Sequence, residues 1–363
     1  MKSTWSYHNP VRVVAGCGCL DLLNQEGIAG HWLLVTTAGA TRRGLTKKIQ
    51  ELQLKVQISV CDGITPNPEL DHLDQLTVGY RPQHIDGLIA LGGGSVMDAA
   101  KVLSVTLPSE LEAPLATSLR EGKGQAWSKN LPVIAIPTTS GTGAEVTPFA
   151  TVWDQTENKK YSVTGDLVYP KVAILDPELT LSLPYQETLY TGLDAISHAL
   201  ESIWNVNKTP VSESYATQAL ELALEAFPIV LKDSLNLLAR EKMQQASLLA
   251  GLAISQTRTA IAHSISYPLT SHYGVPHGLA CSFTLPALIE MYLDQNYGIN
   301  TSDLLKRVKL LLESLMMDHL LLKYLNQDML LELVNEMYHP DRFVNYTNND
   351  NISFDVFKKI LTH

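Results

Sequence analysis

Short apolar runs alternate with helical stretches in the first half of the chain. The runs at 32–35, 56–60, 87–91, 133–136 and 172–175 are typical of buried strands. Amphipathic stretches lie between several of them, for example 45–54 and 95–105. This alternation predicts a parallel sheet with helices on its faces.

The pattern changes near residue 184, where strand-like runs stop and longer helical periodicity begins. Helices are predicted over 188–204, 212–231, 240–255 and 304–315, and a polar loop over 345–351 precedes a last short helix. A chain of 363 residues also favours two domains. We therefore predict an α/β domain over 1–180 and an all-helical domain over 181–363.

Composition and charge narrow the function classes. Hydrophobic residues make up 45% and charged residues 18%, an ordinary globular balance. A net charge of −10 disfavours nucleic acid or an anionic membrane as a partner. Four cysteines are too few for a disulfide framework, and no apolar run reaches the roughly 18 residues of a membrane span. A cytoplasmic protein is expected, and its long apolar helices suggest a homodimer.

Asp194 and His198 form the first half of a candidate metal site. On a helix they are one turn apart and point the same way. A polar surface pair is the alternative, but the neighbours Leu193, Ala195 and Ile196 leave little polar helix around them. A buried carboxylate needs a partner or a metal ion.

His263 and His277 could supply the second half. Gly274 and Pro276 break any helix between them, so these two histidines must come from different elements. One carboxylate and three imidazoles would bind Fe²⁺ or Zn²⁺ and leave a position open for a substrate oxygen.

Two turns after predicted strands could bind phosphate. In 91–101, Gly93, Gly94 and Ser95 open a helix whose free N–H groups can hold a pyrophosphate, with Ser95 as N-cap and Asp98 as its acidic partner. The alternative is a glycine turn needed for steric reasons alone. The second turn, 136–147, is rich in hydroxyl side chains and glycine, and could equally be a connecting loop.

These motifs together resemble the iron-containing, metal-dependent group III alcohol dehydrogenase family. The resemblance is carried, in the family's order, by 92–95 with Asp98, 137–145, 192–198, His263 and 276–278. It implies a dehydroquinate synthase-like fold with a dinucleotide-binding α/β domain and a helical metal domain. The implied activity is NAD- or NADP-linked aldehyde reduction and alcohol oxidation that depends on Fe²⁺, or alternatively Zn²⁺.

The resemblance assigns roles by position. Asp194, His198, His263 and His277 are similar to the family's metal ligands, and Asn67 to a residue near the nicotinamide. The remaining cofactor contacts that it implies are Gly93, Gly94, Ser95, Asp98, Thr138, Thr139, Thr142, Thr147 and Lys160.

Two positions depart from the family pattern. Tyr267 stands where many members carry a second histidine, so it is a candidate proton donor or a pocket wall. Thr37 stands where many NAD-preferring members carry an aspartate that repels a 2′-phosphate. Arg42 and Arg43 lie nearby and could attract that phosphate, or could be solvated helix residues. NADPH is therefore expected to be accepted beside NADH.

Arg258 is the candidate substrate anchor. It precedes His263 by five residues in a weakly polar stretch, and a guanidinium suits phosphonate or carboxylate oxygens. Together with Tyr267 it resembles the family's phosphonoacetaldehyde reductase branch, which implies a small anionic aldehyde as substrate. Against this, a five-residue offset turns a side chain about 140° away on an ideal helix, so a salt bridge is the alternative.

Three further interpretations concern one histidine and two alternative functions. His272 is expected to be a polar loop residue and no ligand. A dehydroquinate synthase-like lyase would need more Lys and Arg than Lys208 and Arg258 near the ligands. A non-catalytic relative would be favoured by missing ligands, and none is missing.

Overall fold

The computed structural model describes residues 4–52, 54–123, 127–157, 159–294, 299–338, 343–347 and 352–362. The chain divides into two compact units. An α/β unit comprises Asn9–Thr139 and Ala144–Leu183, and a helical unit comprises the segment up to His8, Ser140–Gly143 and everything from Pro184 onward.

The α/β unit is built on a six-stranded parallel sheet in the order β1-β8-β5-β4-β2-β3. Its strands are β1 Arg12–Ala15, β2 His31–Val35, β3 Gln57–Cys61, β4 Gly87–Gly92, β5 Val133–Pro137 and β8 Val172–Leu175. All five predicted strands are present. The central strands β4 and β5 are buried along their whole length, which explains their continuous apolar runs.

Among its described residues, this unit also contains an antiparallel hairpin and four α-helices. The hairpin pairs β6 Phe149–Asp154 with β7 Lys159–Thr164. The helices are α1 Ala38–Arg42, α2 Leu45–Glu51, α3 Leu70–Tyr80 and α4 Gly94–Thr106. The sequence reading missed β1, which has four residues, and the hairpin, because its strands bury only alternate or single residues.

The helical unit carries eleven further α-helices whose bounds lie among the described residues. They are α5 Tyr185–Ile203, α6 Pro210–Lys232, α7 Leu237–Thr257, α8 Ile261–Tyr273, α9 His277–Ala280, α10 Leu285–Leu293, α11 Ile299–Ser314, α12 Met317–Leu321, α13 Gln327–Glu332, α14 Val334–Met337 and α15 Phe354–Thr362. The four predicted long helices correspond to α5, α6, α7 and α11. The predicted 345–351 loop lies partly outside the described residues.

Local chemistry fixes the ends of the helices that matter for the site. α6 starts with a capping box between Thr209 and Ser212, with Pro210 at its first position. α8 ends at Tyr273 and is capped by Gly274, whose φ of +64° is the left-handed conformation that suits glycine. Within the described part of the chain, no helix is both long and apolar enough to cross a membrane.

Candidate functional site

Asp194 and His198 lie on α5, one turn apart, as the spacing predicts. Both side chains are buried, and His198 Nε2 is 3.5 Å from Asp194 Oδ1. The Nδ1 of His198 lies 3.3 Å from the carbonyl oxygen of Gly141, an acceptor, so the proton belongs on Nδ1 and the Nε2 lone pair faces Asp194.

His263 and His277 reach the same carboxylate from separate helices. His263 lies on α8 and His277 begins α9, and Gly274 and Pro276 separate the two helices as expected. Their Nε2 atoms lie 3.5 Å and 3.8 Å from Asp194 Oδ1. Three imidazoles therefore converge on one carboxylate oxygen.

One buried atom shows that this group fits a metal ion. His263 Nε2 is inaccessible to water and has no hydrogen-bond partner, although burying an unpaired polar nitrogen is costly. Nδ1 of the same ring lies 2.6 Å from Glu201 Oε2, which keeps the proton on Nδ1. This Nε2 faces Asp194. A carboxylate with three imidazoles is a donor set for Fe²⁺ or Zn²⁺.

Cys281 joins this cluster and was missed by the sequence reading. Potential ligand atoms of Asp194, His263, His277 and Cys281 all lie within 4.8 Å of one another, and Cys281 Sγ is 3.6 Å from Asp194 Oδ1. His198 lies outside this tightest group. We nevertheless favour His198 as a ligand, because its Nε2 is as near to Asp194 as that of His263. In the sequence, Cys281 could have been identified from its position four residues after His277.

Glu201 is the second residue that the sequence reading missed. It lies on α5 at the positions i, i+4, i+7 with Asp194 and His198, so all three share one helix face. Its buried carboxylate accepts the backbone N–H groups of Ala260, Ala262 and His263 as well as the His263 ring N–H. The i, i+4, i+7 spacing could therefore have identified Glu201 from the sequence.

Charge in the cluster shifts several pKa values. Burial raises the pKa of Asp194, but attraction to His198, His263 and His277 outweighs it and holds that pKa well below its usual range. Burial lowers the pKa of His198. Burial also acts to lower the pKa of His263, yet Glu201 and Asp194 raise it to about 10, so a metal ion that binds Nε2 must displace a proton. Burial acts to raise the pKa of Glu201, but His263 and the backbone N–H groups of Ala260 and His263 outweigh burial and lower it.

The predicted pyrophosphate turn lies at the start of α4. α4 begins at Gly94 with Gly93 as its N-cap, so the prediction that Ser95 caps the helix was wrong. Instead, Ser95 Oγ accepts the backbone N–H of Asn67, which has a left-handed φ of +58°. A Cβ at Gly93 would come within 3.2 Å of Thr139, so the turn and Thr139 lie close together.

Asp98, Thr147 and Lys160 are also held by internal contacts. Asp98 Oδ2 accepts the N–H of Thr151, so the predicted capping role of Asp98 was wrong as well. Thr147 Oγ1 accepts a hydrogen bond from the buried Lys101 ammonium at 3.0 Å. Lys160 Nζ lies 5.6 Å from the centre of the Trp153 ring.

The hydroxyl-rich turn is divided between the two units. Thr138 and Thr139 belong to the α/β unit, whereas Thr142 belongs to the helical unit. A Cβ at Gly141 would lie 2.4 Å from the carbonyl oxygen of Thr191 on α5. A Cβ at Gly143 would lie 2.4 Å from Gly251 Cα on α7. These two glycines allow close backbone packing within the helical unit.

Thr37 is the N-cap of α1, and its Oγ1 accepts the backbone N–H of Ala40 at 3.1 Å. A Cβ at Gly39 would lie within 4.0 Å of Thr37 Oγ1 and of guanidinium nitrogens from both Arg42 and Arg43. Two positive charges therefore surround the start of this helix, and no acidic side chain lies in its first turn.

Tyr267, Arg258 and His272 complete the predicted set. Tyr267 lies on α8 one turn after His263 and is half-buried. Arg258 is exposed and lies in the break between α7 and α8. It does not share one continuous helix with His263, so the expectation that helix geometry turns Arg258 away from His263 was wrong. His272 lies in α8 rather than in a loop, and its Nε2 contacts Glu336 at 2.9 Å, away from Asp194.

Comparison with known proteins finds two matching family models, one for each half of the chain. The iron-containing alcohol dehydrogenase family matches residues 10–177, and the C-terminal domain of the Fe-containing family matches 188–354. The chain is 32% identical to the 1-propanol dehydrogenase of Citrobacter freundii over 285 residues, 78% of this chain and 72% of that one.

Two further relatives bear on the substrate. The chain is 40% identical to the phosphonoacetaldehyde reductase of Streptomyces viridochromogenes over 225 residues, which is 60% of this chain and only 56% of that protein's length. The sulfoacetaldehyde reductase of Bifidobacterium kashiwanohense, solved in complex with NAD⁺, superposes with a TM-score of 0.86 at 28% identity and covers 99% of this chain and 98% of its own. None of these relatives is a lyase.

Proposed function

Because the chain belongs to the iron-containing alcohol dehydrogenase family, we propose that it is a metal-dependent, NAD(P)-linked aldehyde reductase and alcohol dehydrogenase. The observation that carries this proposal is the unpaired Nε2 of His263, which faces Asp194 in a group of three imidazoles of which His198 and His263 are buried.

Asp194, His198, His263 and His277 would hold the metal, which we propose is Fe²⁺ with Zn²⁺ as the alternative. When bound, it would act as a Lewis acid on the carbonyl oxygen of an aldehyde. The His277 side chain is 39% exposed whereas the other three are nearly inaccessible, so a substrate would approach on the His277 side.

The α/β unit would bind the cofactor, NAD or NADP, which supplies the hydride. The N–H groups at the start of α4, beyond Gly93, and the hydroxyl of Ser95 are suited to a pyrophosphate. Asn67 is held beside Ser95, and Thr139 beside Gly93. We further assign cofactor contacts to Gly94, Asp98, Thr138, Thr142, Thr147 and Lys160.

Reduction of the carbonyl group requires a proton on its oxygen. Tyr267 is our candidate for the donor of this proton. It follows His263 by one helical turn and therefore points to the same side of α8. A phenol can donate a hydrogen bond directly to a developing alkoxide.

His263→Ala tests the function. We expect the variant to lose bound metal and turnover, because it removes a ligand, while unfolding stays cooperative. Metal content is measured by elemental analysis and turnover by NADH absorbance with a short aldehyde. His272→Ala on the same helix is the matched control and should keep both. A metal-free variant with full activity would contradict the proposal.

We propose that NADPH is accepted beside NADH, since Thr37 carries no negative charge and lies beside Arg42 and Arg43. Thr37→Asp should lower kcat/KM for NADPH by at least about tenfold and spare NADH. The variant should stay folded, because aspartate is an equally good N-cap. A wild-type preference for NADH above about a hundredfold, near 2.7 kcal/mol, would contradict this.

The substrate is proposed to be a small aldehyde with an anionic group, with phosphonoacetaldehyde as the first candidate. Two relatives are named for aldehydes that carry a phosphonate or a sulfonate. Arg258, exposed after α7, is the proposed anchor.

Rates for phosphonoacetaldehyde and neutral propionaldehyde test this substrate class. We expect kcat/KM to be at least about tenfold higher for the anionic aldehyde, because one charge-assisted contact is worth that much. Equal rates in the wild type would contradict the anionic class. Selectivity that survives Arg258→Ala would keep the class and exclude Arg258 as its anchor.

The homodimer and the cytoplasmic location that the sequence suggests are proposals too. Light scattering on the purified chain tests the first, and cell fractionation tests the second.

A further inference from the structure

We propose that Glu201 is a positioning residue that holds His263 in the one orientation in which its Nε2 can bind a metal. This inference rests on the proposed metal site, and it assigns a role to a buried carboxylate that would not itself touch the ion. Three observations carry it, namely the hydrogen bonds of Glu201, the start of α8, and the unpaired nitrogen of His263.

Each of the two carboxylate oxygens of Glu201 accepts two hydrogen bonds. Oε1 accepts the backbone N–H groups of Ala262 at 2.6 Å and His263 at 3.2 Å. Oε2 accepts the N–H of Ala260 at 3.0 Å and the ring Nδ1–H of His263 at 2.6 Å. All four contacts require an acceptor at Glu201, and a carboxylate is the side chain that offers two acceptors and no donor.

Three of these contacts cap α8. The helix begins at Ile261, and its N-cap Ala260 has no side chain that could satisfy the first N–H groups. Glu201 on α5 supplies the missing acceptor, and its negative charge suits the positive end of the helix. The start of α8 is therefore fixed to the helix that carries Asp194 and His198.

The fourth contact sets the ring itself. With Nδ1–H donated to Glu201, the nitrogen of His263 that is left to bind a metal ion is Nε2, which faces Asp194 and has no other partner. A histidine that binds a metal commonly donates its other N–H to a carboxylate in this way. Glu201 thus fixes both the position of His263 and the ring nitrogen that is available to bind the metal.

Glu201→Gln is the sharpest variant, because the amide has the same shape but replaces one acceptor by a donor. That donor must face either the backbone N–H groups of α8 or the ring N–H of His263, so one pair of contacts is lost. Ser202→Ala is the matched control. Ser202 is the buried neighbour on α5, and its hydroxyl bonds the His198 carbonyl and lies 3.1 Å from Thr257 without touching His263.

The first readout is the zinc dissociation constant, measured by competition with a chromophoric chelator. We expect Glu201→Gln to raise it at least about tenfold, the usual effect of removing such a partner. Ser202→Ala should stay within about twofold of the wild type, well under the 1.4 kcal/mol of a tenfold change. We expect kcat to fall in Glu201→Gln while KM for NADH is unchanged.

The second readout is the ¹⁵N spectrum of histidine-labelled, zinc-loaded protein. In the wild type, His263 should be protonated at Nδ1 and bound through Nε2. Binding through Nδ1 would overturn the proposal whether or not the variant folds. A folded Glu201→Gln protein with wild-type zinc affinity would also overturn it. Wild-type protein that binds neither zinc nor Fe²⁺ would refute the metal site and this role together.

Discussion

A single backbone conformation stands out at the residue scale. Arg258, directly after α7, has φ of +62° and ψ of 175°, a region that only glycine enters easily. Its N–H bonds the carbonyl of Ile254 at 2.8 Å, and its own carbonyl accepts the Asn205 side chain at 3.1 Å. These bonds on both sides hold the residue in a strained conformation.

We expect Arg258→Gly to be more stable than Arg258→Ala. Both lose the guanidinium, but only glycine relieves a strain of about 1–3 kcal/mol. The greater freedom of glycine in the unfolded chain offsets about 0.5–1 kcal/mol of this. A net difference of about 1 kcal/mol in the free energy of urea unfolding should remain. Equal stability of the two variants would show that the conformation is unstrained.

Residue types and spacing were enough to predict Asp194, His198 and the separation of His263 from His277. They were not enough for Arg258, because the stretch between α7 and α8 contains no glycine or proline to mark a break. That break is held by the hydrogen bonds of Glu201 to Ala260 and Ala262, which join residues about 60 positions apart. Such contacts leave no trace in local periodicity.

At the scale of elements, a close approach between two helices places His277. A Cβ at Gly278 on α9 would lie 1.8 Å from the carbonyl oxygen of Tyr190 on α5. No side chain fits at that distance, so glycine allows α9 to pack directly on the helix that carries Asp194. The neighbouring His277 is brought to the cluster by this contact.

We expect Gly278→Ala to destabilise the fold by about 1–3 kcal/mol, the usual cost of overpacking. It should also weaken metal binding, because α9 must move away from α5. Gly79→Ala on α3 is the matched control, since a Cβ there would meet nothing within 4 Å. That control should be neutral or gain up to about 1 kcal/mol from better helix propensity. Urea unfolding checks both, and an unperturbed Gly278→Ala protein would contradict the packing argument.

Element types were well predicted where apolar periodicity was strong and poorly where it was weak. The buried strands β4 and β5 have continuous apolar runs, whereas β7 buries one residue of six. The start of α4 was misplaced because Ser95 resembles an N-cap in sequence, while its hydroxyl is used by Asn67 from a distant turn.

At the scale of the whole molecule, the change from strand-rich to helix-rich sequence could be seen in local patterns alone. The membership of Ser140–Gly143 in the helical unit could not, because it depends on how Gly141 and Gly143 approach α5 and α7. The family motif in this turn was recognisable, but its division between units is a property of the tertiary structure.

An ion-pair cluster joins three elements of the α/β unit and makes its stability depend on pH. Arg120 ends the short π-helix Ala116–Arg120, and its guanidinium bonds the fully buried Asp154 at the end of β6 at 2.8 Å. It also contacts Asp71 in the first turn of α3 at 3.0 Å. The Arg120 guanidinium holds the pKa of Asp154 below its usual range.

We expect Asp154→Asn to lose about 1.5–3 kcal/mol at pH 7, the usual worth of hydrogen bonds to a charged group. A carboxyl whose folded-state pKa is lowered stabilises the fold above its unfolded pKa of about 3.9 and loses this contribution as pH falls through the folded value. The difference between wild type and variant should therefore be constant from about pH 7 to 5 and shrink below about pH 4. Urea unfolding at each pH measures this difference.

Glu121→Gln, which removes an exposed pair with Lys123, is the control and should change stability by less than about 1 kcal/mol at any pH. A difference for Asp154→Asn that persists unchanged into acid would mean that packing, and not the charge on Asp154, sets its contribution.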